Sequence, residues 1–269
     1  MQARTQARLS TPRVRFCDNP LMTLTTPRGG PLSDRSPGSL RPRLIAAAIA
    51  LACLGGLALS IDLDVARWCK AGHIPKELMR FLNFSETFAH GIGVATLLLT
   101  AAVLDPSLGG RRALPRFGSL PVSRDFVRMA MTAFAGGIMA NVIKETLFDR
   151  VRPRAADLTA AASALATFGD SLAATITSHS DANSFPSGHA ATAAGFAAAL
   201  SWKYPRGQWL FFTLAVAAAA QRVASSAHYP SDVLFGAAVG LVGAAIILGA
   251  NRPTNGSPDQ SFDQHARPV

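Results

Sequence analysis

Charge is scarce in this sequence. Asp, Glu, Lys and Arg make up 16% of its 269 residues, against about 25% in an ordinary soluble domain. Cysteine is scarcer still. Cys17, Cys53 and Cys69 are too few and too scattered for a disulfide framework or a zinc site. No carboxylate cluster of the kind that holds magnesium is present, so no metal or other cofactor is expected. The formal net charge of +10 would suit a nucleic-acid binder. No basic helix or aromatic stacking platform accompanies it, and that class is set aside. The basic residues instead flank apolar runs.

Those runs hold most of the information. Apolar residues are 49% of the chain, and they gather into six segments at roughly 44–61, 86–104, 126–148, 189–203, 208–224 and 232–250. A helix needs about 20 apolar residues to cross a bilayer core. The fourth and fifth segments are short and Ala-rich. Small residues dominate several of them, as in residues 194–200 and 236–245, and small faces let membrane helices pack closely. Residues 44–61 are read as an uncleaved first helix rather than a signal peptide, because the leader is too long for an n-region. The expected fold is all-α: a six-span transmembrane helical bundle over 44–250. A disordered basic cytoplasmic tail (1–43) precedes it and a disordered C-terminal tail (251–269) follows.

Lys and Arg counts orient the bundle. The tail 1–43 carries eight arginines. If it is cytoplasmic, so are loop 105–125, loop 203–207 and the C-terminal tail. Sixteen basic residues then lie inside and seven outside. This predicts an inner-membrane protein whose loops 62–85, 149–188 and 225–231 face the periplasm or the exterior.

Three polar clusters fall on that outer side. The first runs from Lys144 to Arg152-Pro153, the second from Ser184 through Pro186-Ser187-Gly188 to His189, and the third from Arg222 through His228 to Asp232. Singly, each fits an interfacial anchor, a helix cap or a loop. Together, in this order and on one side, they point to a site, because ionisable groups near membrane depth are costly. Lys144, Arg152 and Arg222 supply positive charge and donors for phosphate oxygens. Ser187 and Gly188 open a helix whose free N–H groups attract an anion. His228 can attack phosphorus, Asp232 can hold its other ring nitrogen, and His189 can protonate a leaving alcohol.

These residues resemble the signature of the type 2 phosphatidic acid phosphatases, a superfamily that includes bacterial acid phosphatases and vanadium haloperoxidases. The signature is a Lys followed by Arg-Pro, then Pro-Ser-Gly-His, then Ser-Arg with five residues to His and three more to Asp. The resemblance implies a helical bundle with an extracytoplasmic site. In it Lys144, Arg152, Ser187, Gly188 and Arg222 bind phosphate, His189 is the acid, His228 the nucleophile and Asp232 its partner. It implies a phosphorylated lipid as substrate and the bilayer as surroundings. Two positions depart from the pattern. Seven residues separate Lys144 from Arg152 where the family has six, which turns Lys144 by about 100° on an ideal helix. A π-bulge or a loosened helix end would absorb the turn, or Arg150 would contribute in place of Lys144. Gln221 stands where the family has Ser, and its amide can still donate.

The expected function is therefore a membrane phosphatase acting on a lipid phosphomonoester or lipid pyrophosphate through a phosphohistidine. The alternatives are a phosphotransferase of the same superfamily and a non-catalytic lipid-binding protein. Leu158, Leu165, Phe168, Leu172 and Ile176 recur at near-helical spacing, which predicts an amphipathic surface helix in 154–185. Glu86 and His90, four apart at the outer end of the second segment, are candidates to back the site.

Overall fold

Small residues decide how the helices of this chain meet. A computed structural model describes residues 40–108, 123–169 and 179–250. Nine α-helices form among them: α1 (Leu40–Ala58), α2 (Asp62–Lys70), α3 (Lys76–Ser85), α4 (Gly91–Leu104), α5 (Arg124–Thr146), α6 (His179–Ala182), α7 (Gly188–Lys203), α8 (Gln208–Ala224) and α9 (Pro230–Leu248). The only extended pairing among the described residues is two isolated bridges from Arg150, to Phe168 and to Asn183. The all-helical class read from the sequence holds. The two tails lie outside the described residues, apart from Leu40 to Arg43, which open α1.

α7 is the centre of the bundle. It packs against α5, α8 and α9, while α1 lies along α9 and α3 along α8. A Cβ added to Gly240 on α9 would sit 2.2 Å from the Ala191 carbonyl oxygen of α7. One added to Gly136 on α5 would sit 2.6 Å from the Gly240 Cα. Three backbones thus touch where bulkier residues would hold them apart. Toward the other end of α7, Phe196 and Leu200 join Phe88, Val94, Leu98 and Met129 in the main apolar core. Lipid-facing residues such as Leu57, Ile92, Val103 and Trp209 stay exposed.

The six-span count is not confirmed among the described residues. α1, α5 and α9 are long and apolar enough to cross a bilayer. Residues Lys76–Phe88 with Gly91–Leu104 would make a fourth span, bent by 66°. α7 and α8 have 16 and 17 residues, about 24–26 Å of helix against roughly 30 Å of hydrocarbon. The physical reason lies at one end of both helices. α7 starts only after the turn at Pro186-Ser187, and α8 stops at Ala224, ahead of a turn in which Ser226 takes φ +53°. Those missing turns are where the polar clusters gather.

The amphipathic helix expected within 154–185 does not form in its described part. Residues 154–169 make turns and one 3-10 turn, Ala164–Thr167. Leu158 is instead buried against Leu63, Ala66, Val151 and Tyr229, Leu165 is exposed, and Phe168 stacks over Arg150. The apolar residues dock separately because α2 fixes the loop. Arg67 donates to the Leu158 and Ala161 carbonyls, and Lys70 donates to that of Ala156. Leu172 and Ile176 lie outside the described residues.

Gly240→Ala tests the close crossing. Alanine raises helix propensity by about 1 kcal/mol, but overpacking costs about 1–3 kcal/mol. Net destabilisation is expected, read as a lower thermal midpoint in detergent. A raised midpoint would show that α7 and α9 have room to spare.

Candidate active site

Six helix ends meet at one end of the bundle, and the polar clusters ride on them. Lys144 lies in the last turn of α5, Arg222 in the last turn of α8, Gly188 and His189 at the start of α7, and Asp232 in the first turn of α9. The start of α2 and the start of α4 lie at the same end, through Asp62 and His90.

The turn into α9 builds the histidine pair. The Tyr229 N–H donates to Asp232 Oδ2 at 2.8 Å, which caps the helix and fixes the carboxylate. His228, one residue earlier, then faces it, with Nδ1 3.6 Å from Asp232 Oδ2. The N–H groups of Ala227 and His228 both donate to the Arg222 carbonyl at 3.1 Å. This ties the histidine to the arginine six residues before it. Both His228 and Asp232 are buried.

Ser187 caps α7, with its hydroxyl accepting the Ala190 N–H at 3.4 Å. Its own N–H donates to the Asp232 carbonyl at 3.0 Å, so α7 and α9 start beside each other. Gly236 allows this approach, since a Cβ there would meet the Ser187 carbonyl oxygen at 2.3 Å. The first N–H groups of α7 have no partner within the helix.

The cations close the cradle. Arg222 Nη1 donates to Glu86 Oε1 at 2.7 Å and to Gln221 Oε1 at 3.2 Å. Arg152 Nη2 reaches the Asn183 carbonyl at 3.4 Å. The Nε atoms of both arginines are buried without a hydrogen-bond partner among the described residues. Orphaned guanidinium donors are costly unless an anion takes them. Lys144 is buried and within Coulombic reach of Arg152, Asp232 and Arg222. His189 is within reach of Arg222, His228 and Lys144, and its ring centroid is 6.0 Å from that of His90.

Residues 125–253 match the sequence model of the PAP2 superfamily. This region, just under half of the chain, is similar to the PAP2 superfamily. Two relatives named lipid A 1-phosphatase share part of it. The one from Rhizobium johnstonii is 35% identical over 40% of this chain and 41% of its own length. The one from Rhizobium etli is 33% identical over 40% of this chain and 43% of its own length. The chain thus spans about two fifths of the length of these relatives. A transmembrane PAP2-type phosphatidylglycerolphosphate phosphatase from Bacillus subtilis has the same fold, with a TM-score of 0.51 at 18% identity. That match covers 77% of this chain and 94% of that one. With three helices, or four counting the bent pair, long and apolar enough to cross a bilayer, the chain is a multi-pass membrane protein.

All eight PAP2 site residues named from the sequence thus lie at one end of the bundle. The extra residue after Lys144 involves no π-bulge. α5 ends at Thr146, and residues 147–149 leave the helix before the bridge at Arg150. Arg150 is a correction. Weighed as a substitute for Lys144 at the phosphate, it is fully buried and turned the other way. It donates to Asp62 Oδ2 at 2.7 Å, Asp232 Oδ1 at 2.5 Å, Ser231 Oγ at 2.8 Å and Thr167 Oγ1 at 2.9 Å. Each of its nitrogens has a protein partner, and four of its five N–H groups are taken.

Asp62 was missed, and Ser184 opened the second polar cluster without being given a role. No spacing links Asp62 to residues so far along the chain, and its one local signal is an acid at the outer end of an apolar run. Ser184 stands two residues before the Pro-Ser-Gly-His motif, without a periodic cue. Glu86, a candidate to back the site, pairs with Arg222.

Burial pushes the His228 imidazole down to about 4, with the Asp232 carboxylate pulling the other way. Its ordinary value is about 6.5, so the ring is neutral at neutral pH. The unfolded chain binds more protons between these values. The stability from burying a neutral His228 is therefore present above about 6.5 and lost as pH falls toward 4. Equilibrium unfolding from pH 7 to 4 should show this loss, and His228→Gln should flatten that part of the curve. An equally steep decline in the variant would assign it to other groups.

Proposed function

We propose that this protein is a membrane phosphatase that hydrolyses a lipid phosphomonoester or lipid pyrophosphate through a phosphohistidine at His228. One observation carries the reading. A buried neutral histidine beside a carboxylate faces a cradle of three cations, two of which keep unpartnered Nε donors.

The geometry divides the work. His228 Nδ1 is turned toward Asp232 and Ser184, which leaves Nε2 with a lone pair for phosphorus. Lys144, Arg152, Arg222 and the first N–H groups of α7 hold the phosphoryl oxygens and stabilise their charge in transfer. Nε2 forms a bond to phosphorus as the bond from phosphorus to the lipid oxygen breaks. His189 gives that oxygen its proton, and an arriving phosphate anion favours the protonated form this needs. Water then attacks phosphorus, passing a proton to His189. The P–N bond breaks, inorganic phosphate leaves and His228 is regenerated. No step calls on a metal.

The excess of Lys and Arg on the opposite face supports an inner-membrane placement, with the N-terminus cytoplasmic and the site facing the periplasm or exterior. The names of the two rhizobial relatives put a lipid A phosphate first among substrates to try, before phosphatidic acid, phosphatidylglycerol phosphate and undecaprenyl pyrophosphate.

The test is phosphate release by the purified protein from this panel, without added magnesium. Release from at least one lipid is expected, with a loss on the order of a thousandfold or more in His228→Ala. Undiminished turnover in that variant would rule out the nucleophile. Phosphate recovered on an added alcohol instead of in solution would make the protein a phosphotransferase.

A further inference from the structure

Behind the histidine pair lies a second set of buried polar groups that the chemistry above does not use. Asp62, Arg150 and Ser184 are each 0% exposed. They come from the start of α2, the segment after α5 and the segment before α7. We propose that Asp62, Arg150 and Ser184 are positioning residues: they lock the Asp232 carboxylate and, through the Ser184 hydroxyl, hold the Nδ1 proton of His228 so that Nε2 stays bare toward phosphorus. This rests on the phosphatase reading.

The hydrogen bonds show how the carboxylate is shared. Asp232 Oδ1 takes Arg150 Nη1 at 2.5 Å. Oδ2 takes the Tyr229 N–H at 2.8 Å and the Ser184 hydroxyl at 2.5 Å. His228 Nδ1 is 3.6 Å from Oδ2, beyond an ordinary hydrogen bond, but 3.3 Å from Ser184 Oγ. A hydroxyl that donates its hydrogen to a carboxylate keeps lone pairs that can accept an imidazole N–H. The histidine is therefore coupled to the carboxylate through the serine.

Arg150 needs its own anchor to serve here. Its second amino group donates to Asp62 Oδ2 at 2.7 Å, and its guanidinium lies 4.0 Å from the Tyr229 ring centroid and 4.6 Å from that of Phe168. Asp62 in turn accepts the Ser231 N–H at 3.0 Å and the Ser231 hydroxyl at 2.5 Å. Asp62 thus grips both Arg150 and the first turn of α9.

The charge count gives Asp62 a second consequence. Arg150 and Asp232 alone would cancel, and the imidazole would face a neutral pair. With Asp62 the buried set carries one net negative charge, which favours the positive imidazole ring formed when Nε2 binds phosphorus. The other charged or titratable groups facing His228 are Lys144 from α5, Arg152 from the segment after it and His189 from α7. Substitution at Asp62 leaves all of them in place.

Steady-state kinetics on the best lipid substrate, with imidazole ¹⁵N spectra of His228 in the full-length detergent-solubilised protein, test this. Asp62→Asn and Ser184→Ala should each lower kcat roughly tenfold, the scale of losses behind a positioned histidine, with KM within about twofold of wild type. Asp62→Asn should also move the acid limb of kcat/KM to lower pH, and Asp62→Glu should restore part of kcat. In the spectra, wild-type His228 should carry its proton on Nδ1 at neutral pH, and Ser184→Ala should mix in the Nε2–H tautomer. Wild-type kcat with an unchanged tautomer in folded Ser184→Ala would overturn the inference. If Asp62→Asn fails to fold, Ser184→Ala decides alone. If the wild type releases phosphate from no lipid, the phosphatase reading fails, and the ¹⁵N spectra still decide whether the serine holds the ring.

Discussion

A single guanidinium buried between two carboxylates sets the geometry of this protein's polar end. Arg150 has no exposed surface and donates to Asp62 and Asp232 at once. Removing such a charge from water is costly, and mutual attraction offsets the cost only when the partners are held in good geometry. The partners come from α2 and α9, so their separation is fixed by the arginine between them. Asp232 also caps its own helix and receives the Ser184 hydroxyl. The position of His228 follows from these constraints, because its ring meets that serine and that carboxylate.

The apolar part of the bundle makes this arrangement possible by bringing backbones close. α5, α7 and α9 meet at Gly136, Ala191 and Gly240, where any added Cβ would strike a neighbouring main chain. At the polar end the same closeness appears between Gly236 and the Ser187 carbonyl. Helix starts normally leave N–H groups pointing outward. Here the starts of α7 and α9 are pressed together, with the Ser187 N–H on the Asp232 carbonyl. Dispersion and close approach hold the helices, and the charges then have fixed places to stand.

The two sides of the histidine pair differ in one physical respect. Behind it, polar atoms are satisfied: Arg150 spends all of its nitrogens on protein partners. In front, Arg152 and Arg222 each keep a buried Nε with none. Burial of an arginine favours neither stability nor folding without a partner, and burial together with the guanidinium groups of Arg154 and Arg222 presses Arg152 below its ordinary value. A phosphate would relieve both strains, supplying acceptors and negative charge together.

How much of this was legible in the sequence follows from the range of each interaction. Six helices over the apolar segments, α1, α4, α5, α7, α8 and α9, start and end within about five residues of the runs that announced them, because helix formation there follows local apolarity and local stop signals. That the eight candidate residues gather at one end of the bundle was readable because each motif is contiguous or spaced within a few turns of helix. The span count was not, because whether the Ala-rich fourth and fifth segments reach across a bilayer depends on where the polar turns cut them. The surface helix expected in 154–185 does not form over residues 154–169, where Arg67 and Lys70, far upstream, capture the loop's carbonyls. Asp62 meets Arg150 across 88 residues and Arg150 meets Asp232 across 82, and no pattern in a single sequence records such a pairing. The sequence by itself determined which segments are apolar helices and which polar residues are candidates for a phosphate site. Only the tertiary structure decided which arginines keep a buried Nε without a partner and which one is spent on protein partners, because that choice turns on which buried carboxylates the fold brings within reach.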